Sequence, residues 1–190
     1  MKWRWIFAVM SILVSVLCLI PRLGEAAGPW KAQIVDAETG KPLEEVVVLA
    51  VWRHCGFIYM DGCGYYYDSE EVVTGADGRF VIEARWSLFR TIKGPDFTIF
   101  KPGYGRWRLK GEDVWLKLDT YERNKRFDEA WEQFRGDGVV IELPPLKTRE
   151  ERLKFYQSPG RTPPGIVPGE RMRRFQEAEN AERAYLGFRN

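Results

Sequence analysis

The chain of 190 residues is 45% apolar, 14% aromatic and 29% charged, with eight Trp, eight Tyr and eleven Phe, which is enough bulky material for one packed domain and excludes a collagen-like or wholly disordered chain. One His, three Cys and four Met provide few ligands for zinc or haem, so neither a metal nor another cofactor is expected. A formal charge of +2, from 29 bases and 27 acids, is far from the basic excess of a nucleic-acid binder, and no nucleic-acid partner is expected.

Lys2 and Arg4 precede a nearly continuous apolar run over residues 6–20, and Gly24-Glu25-Ala26 follows with small residues three and one before a cut. This order predicts a signal peptide over residues 1–26, cleaved after Ala26, and an exported chain in the periplasm or cell envelope. The run has 15 residues, short of the ~20 needed to span a bilayer, so membrane attachment is expected only through an uncleaved signal. Cys18 follows the bulky Leu17 rather than a small residue, which argues against lipidation there. Removing the signal leaves 26 bases, 26 acids and an even pair of cysteines, Cys55 and Cys63.

From residue 31 onward short strands alternate with turns. Residues 31–35 read as a strand and residues 36–42, with Gly40 and Pro42, as a tight turn, so a hairpin into the next run is expected. Residues 43–53 read as a strand, nearly continuously apolar from Val46 to Trp52, the pattern of a strand covered on both faces or of one crossing the middle of a sandwich. Tyr65, Tyr66 and Tyr67 open a further β-rich run that reaches Thr74, and Asp77-Gly78 then predicts a hairpin into residues 79–83. Residues 97–100 form a strand stopped by Pro102-Gly103, and residues 138–143 form the last strand, ended by Pro144 and Pro145. Between these two, residues 119–135 carry Tyr121, Phe127, Trp131 and Phe134 at helical intervals among charges, which predicts an inserted amphipathic helix. Thr148-Arg149-Glu150-Glu151 resembles a capping box, residues 158–169 hold four Pro and three Gly, and residues 170–186 have loosely helical spacing. Residues 27–146 carry net −4 and residues 147–190 net +4, a division that permits the tail to lie on its own domain.

Three segments carry a resemblance. Gln33-Ile34-Val35-Asp36-Ala37-Glu38-Thr39-Gly40-Lys41-Pro42-Leu43, Thr74-Gly75-Ala76-Asp77-Gly78-Arg79-Phe80 and Phe100-Lys101-Pro102-Gly103-Tyr104 come in this order over residues 30–105, and together they resemble the carboxypeptidase regulatory-like domain, a family similar in fold to transthyretin. The resemblance implies a mainly β chain: a seven-stranded antiparallel β-sandwich over residues 27–146, without catalytic residues of its own, of the kind found as an accessory module in exported and cell-surface proteins. The inserted helix and the Pro-rich, helical tail over residues 147–190 are additions to that plan.

Cys55 and Cys63, eight apart, read as a redox pair, half of a metal site or a structural bridge; export and Gly-rich flanks favour the bridge, which would stabilise by about 2.5 kcal/mol on the chain-entropy model. His54 is the lone imidazole, and an enzyme would have to gather it with groups such as Asp61 and Glu71. Trp52, Tyr65, Tyr66, Tyr67, Trp86, Tyr104, Trp107 and Trp115 are more aromatics than one sandwich face hides. Among them Trp52, Tyr65, Tyr66, Tyr67, Tyr104 and Trp107 are the candidates to contact a ligand, while cover by the added helix and tail is the competing reading. Gly40, Pro42, Asp77, Gly78, Pro102 and Gly103 are expected to be turn residues. The resulting expectation is a non-catalytic exported binding or scaffolding module whose partner is an envelope protein or a polysaccharide; a carbohydrate-binding module is the alternative, and an enzyme around His54 a third reading.

Overall fold

The computed structural model describes residues 25–26, 28–56, 62, 64–87, 91–158 and 163–188. The expected signal peptide, apart from the backbone of residues 25–26, lies outside the described residues, as do Asp61 and Cys63.

Nine strands are described: β1 (Glu25–Ala26), β2 (Trp30–Asp36), β3 (Val47–His54), β4 (Tyr65–Val73), β5 (Arg79–Ile82), β6 (Arg85–Trp86), β7 (Ile92–Phe100), β8 (Arg108–Leu109) and β9 (Val139–Leu143). They form a four-stranded sheet in the order β5-β2-β9-β8, a three-stranded sheet in the order β4-β3-β7, and a separate β1-β6 ribbon. The chain is mainly β, with four α-helices among the described residues: α1 (Glu112–Trp115), α2 (Thr120–Arg135), α3 (Arg149–Tyr156) and α4 (Arg173–Leu186).

Three expectations need correction. The sheets are not wholly antiparallel, because β9 pairs with β2 in parallel, Ala32 opposite Val139 and Ile34 opposite Ile141. The chain reaches β9 only after α2, and a crossover of that length can bring it back in the direction of β2, which a tight turn cannot do. Nor do the two turn motifs join paired strands: the 36–42 turn closes with a single antiparallel bridge, Val35 to Pro42, before the chain leaves for the other sheet, and β4 and β5 do not pair. β2 pairs with β5 and β9, while β3 pairs with β4 and β7. The 36–42 turn and the Asp77-Gly78 turn are therefore corners that carry the chain from one sheet to the other. Two apolar runs on either side of a turn can bury their side chains edge to edge or face to face, and here they do the second.

The two corners are tied together. Ile34 N–H donates to Gly78 O at 2.8 Å and Leu43 N–H to Ile34 O at 2.9 Å. The buried Thr74 hydroxyl donates to Leu43 O at 2.7 Å and accepts from Val46 N–H at 3.0 Å. Asp36 closes the first corner by accepting from the N–H groups of Glu38 and Thr39 and from the hydroxyls of Thr39 and Tyr104.

Both sheets feed one core, in which Ile34, Phe80, Ile82, Ile141 and Leu143 meet Val46, Val48, Ala50, Trp52 and Ile99. α2 joins this core. Asp119 caps its first turn, accepting from Tyr121 and Glu122 N–H at 2.9 and 3.1 Å, and Phe134 at its end meets Trp30, Phe80 and Phe97 with ring centroids 5.0–6.1 Å apart.

The apolar continuity of β3 has a direct cause. Val48, Ala50 and Trp52 point into the core between the sheets. Val47 packs instead with Phe100 and Phe175, and Leu49 and Val51 with Val167, all three on the opposite face. The C-terminal tail thus covers the outer face of the three-stranded sheet. α3 starts with the expected capping box between Thr148 and Glu151, and α4 lies over β3 with Phe175 and Leu186 buried.

Candidate functional site

The sequence nominated an imidazole, a cysteine loop, two acids and a set of aromatics, and the fold distributes them. His54 ends β3. Its ring stacks on Tyr65 at 5.5 Å, stands edge-on to Tyr67 at 6.4 Å, and its Nδ1 is 3.1 Å from Cys55 O. Cys55 is disulfide-bonded, and its N–H donates to Thr91 O at 3.1 Å. Cys63, the expected other half of the bridge, lies outside the described residues.

Glu71 does not converge on His54. His54 is opposite Tyr65 and Leu49 is opposite Glu71, so the six-residue advance along β4 separates the two by about 20 Å. The Glu71 carboxylate instead accepts from the N–H groups of Arg174 and Phe175 at 2.9 and 2.7 Å, capping the first turn of α4, whose own flanking residue Met172 provides no side-chain cap. A charged acceptor at a helix N-terminus meets both the unsatisfied donors and the positive end of the helix dipole.

The aromatics part company in the same way. Trp52 is 0% exposed and cannot touch a ligand, a correction whose cause is its inward position on the doubly covered strand. The Arg85 guanidinium lies 4.6 Å above its ring. Tyr66 packs under the tail beside Val167 and shares a 2.9 Å hydrogen bond with Ser69 Oγ. The Tyr67 hydroxyl donates to Trp86 O at 3.1 Å and the Tyr104 hydroxyl to Asp36 Oδ2 at 3.2 Å, and Trp107 is half-buried against the core. Of the six candidates only Tyr65 presents about half of its surface to solvent, at 51%. The most exposed tryptophan among the described residues, Trp86 at 71%, was not among the six. Nothing in its local sequence separates it from the buried ones; its position on the short β6 ribbon does.

The turn residues stand at turns. Gly40, Gly78 and Gly103 have positive φ, Pro42 forms an isolated bridge with Val35, and Asp77 Oδ1 accepts from Arg79 N–H at 3.1 Å. Beside Pro102, the Gly103 N–H donates to the buried Glu182 of α4 at 3.0 Å, and Arg152 of α3 closes on the same carboxylate.

A cluster of charges lies along β4. Arg85 reaches Asp68 and Glu70 at 2.8 Å each, and Arg171, in a short 3-10 turn at Gly169–Arg171 of the tail, reaches Asp68 and the carbonyl of Ser69. Burial pushes the Asp68 carboxyl up, but the hydrogen bonds and charges of Arg85, Ser69 and Arg171 outweigh it and hold the group below the ordinary aspartate range. These ion pairs fasten the tail to the sheet. The cleft beside them, about 450 Å³ between β4 and the start of α4, is lined by Ser69, Glu71, Arg171, Arg173, Arg174 and Glu177. Among the described residues no three His, Cys, Asp or Glu side chains are grouped as metal ligands, and no helix is long and apolar enough to cross a membrane.

No family model, no curated protein and no solved structure matches the chain.

Proposed function

We propose that the chain is a non-catalytic binding or scaffolding module exported to the bacterial cell envelope, and that its two sheets are a transthyretin-like sandwich of the carboxypeptidase regulatory-like kind carrying its own C-terminal cover. The observation that supports this best is the use to which the polar groups of β3 and β4 are put. Glu71 caps α4, Asp68 binds Arg85 and Arg171, and His54 stacks on Tyr65. Each is engaged in holding structure, and the space between the sheets is filled by side chains such as Ile34, Val48, Trp52 and Ile141. A carbohydrate platform wants several flat rings side by side in solvent, whereas five of the six nominated aromatics are at least half covered.

The test is cross-linking in intact cells followed by purification of the chain. It is expected in the envelope fraction, joined to one main component. Recovery in the cytosol, or turnover of a substrate by the pure protein that His54→Ala abolishes without altering its circular dichroism, would overturn the reading.

A further inference from the structure

The end of the tail is held as a bound peptide is held. Glu71 of β4 accepts from the first N–H groups of α4, and Asp68 and the Ser69 carbonyl take Arg171, just ahead of the helix. In the middle Phe175 packs with Val47 and Phe100, and Val167 packs with Leu49 and Val51. At the far end the Gly103 N–H and Arg152 of α3 meet Glu182, and Arg149 of α3 donates to Leu186 O at 2.6 Å. The ring of Tyr156, the last residue of α3, lies 5.4 Å from that of Phe188. Residues 163–188 thus lie in a groove built by the three-stranded sheet, the Gly103 corner and α3, and the groove engages the start, the middle and the end of the segment.

The body does not need this segment to complete its interior. Among the described residues the core between the sheets includes none from 147–190, and the apolar contacts of the segment fall in two small separate clusters. Space also remains on both sides of α4: the cleft of about 450 Å³ beside Arg171 and Arg173, and another of about 570 Å³ between Ala178 and the body residues Val47, Val73 and Pro102. Residues 158–169, with four Pro and three Gly, join α3 to the segment, and twelve residues reach at most about 40 Å when extended. Every contact that seats the helix is made equally by a helix from a second copy; only the effective concentration that the connection supplies favours its own. The opposite net charges of body and tail, −4 and +4, attract across two copies as they do within one.

We infer that residues 163–188 also dock in trans, so that two copies pair by exchanging them. This goes beyond the proposed binding role: it names a second copy as a partner, and it holds or fails whatever the chain meets in the envelope.

Two variants, purified in the form the cell makes, test this. Phe175→Ala spoils the helix and leaves the groove sound. Glu71→Arg leaves the helix sound and spoils the groove, since it removes the cap and sets a cation against the positive end of α4. Only the mixed pair joins a sound groove to a sound helix. In analytical ultracentrifugation the equimolar mixture should therefore form a 1:1 complex at least about tenfold tighter than either variant forms with itself. An excess of a peptide of residues 163–188 should dissolve it. A mixture that associates no more tightly than its components, or a complex that the peptide leaves intact, would overturn the inference. Neither side chain belongs to the core between the sheets, and circular dichroism checks that each variant folds. Should Glu71→Arg fail to fold, Glu71→Gln, which removes the charge alone, takes its place with the same outcomes. Cross-linking in cells reports on the envelope partner separately.

Discussion

At Gly78 a β-carbon would stand 2.5 Å from Ile34 O, and φ is +68°. Space and backbone conformation both demand glycine there. Gly40 shares the sign of φ, at +70°, but a β-carbon on it would meet nothing within 4 Å. Gly78→Ala should therefore cost more than Gly40→Ala: about 2–3 kcal/mol or more against about 1 kcal/mol, read from urea unfolding midpoints. Asp68 makes a second prediction at this scale. Its folded-state pKa is depressed, so the unfolded chain binds more protons in acid. The contribution of Asp68 to stability is fully present above the ordinary carboxylate pKa of about 3.9 and is lost as pH falls through the lower folded value. Asp36, where burial is likewise outweighed by hydrogen bonds from Thr39, Glu38 and Tyr104, acts in the same direction. Unfolding free energy should stay level from neutrality down to about pH 4 and then drop, and Asp68→Asn should shallow that drop while lowering stability at neutral pH.

Among the elements, α4 depends most on its surroundings. Its first N–H groups are satisfied by Glu71, from a strand about a hundred residues earlier in the chain, and its buried face rests on Phe100 and Val47 through Phe175. Phe175→Ala removes the aromatic that fills this contact and should cost about 3 kcal/mol. Because the core between the sheets does not contain Phe175, the loss should appear as faster amide exchange along α4 and on β3 while β2, β5 and β9 keep their protection. Exchange that accelerates equally in both sheets would mean that the tail and the body unfold as one unit. The helices α2 and α3 were legible because each announces itself locally, α2 by its aromatic spacing among charges and α3 by its capping box. α4 has no such cap in its own sequence; only its spacing revealed it.

Across the whole molecule, the acidic body and basic tail meet as the charge division permits, through Arg171 with Asp68 and Lys147 with Glu38. The contact is carried mainly by apolar burial at Phe175, Val167 and Leu186, since exposed ion pairs are screened by salt and contribute little. Sequence alone dictated that β3 is a strand, that the segment at residues 119–135 is helical and that Gly40, Gly78 and Gly103 turn the chain, because each rests on a local period or a backbone conformation that neighbouring residues dictate. Only the tertiary structure decided that the turns are corners between sheets, that β9 runs parallel to β2, that Glu71 caps a helix and that Trp86 rather than Trp52 faces solvent. Those outcomes depend on which distant segments meet, and a side chain carries no record of its partner until the chain has closed around it.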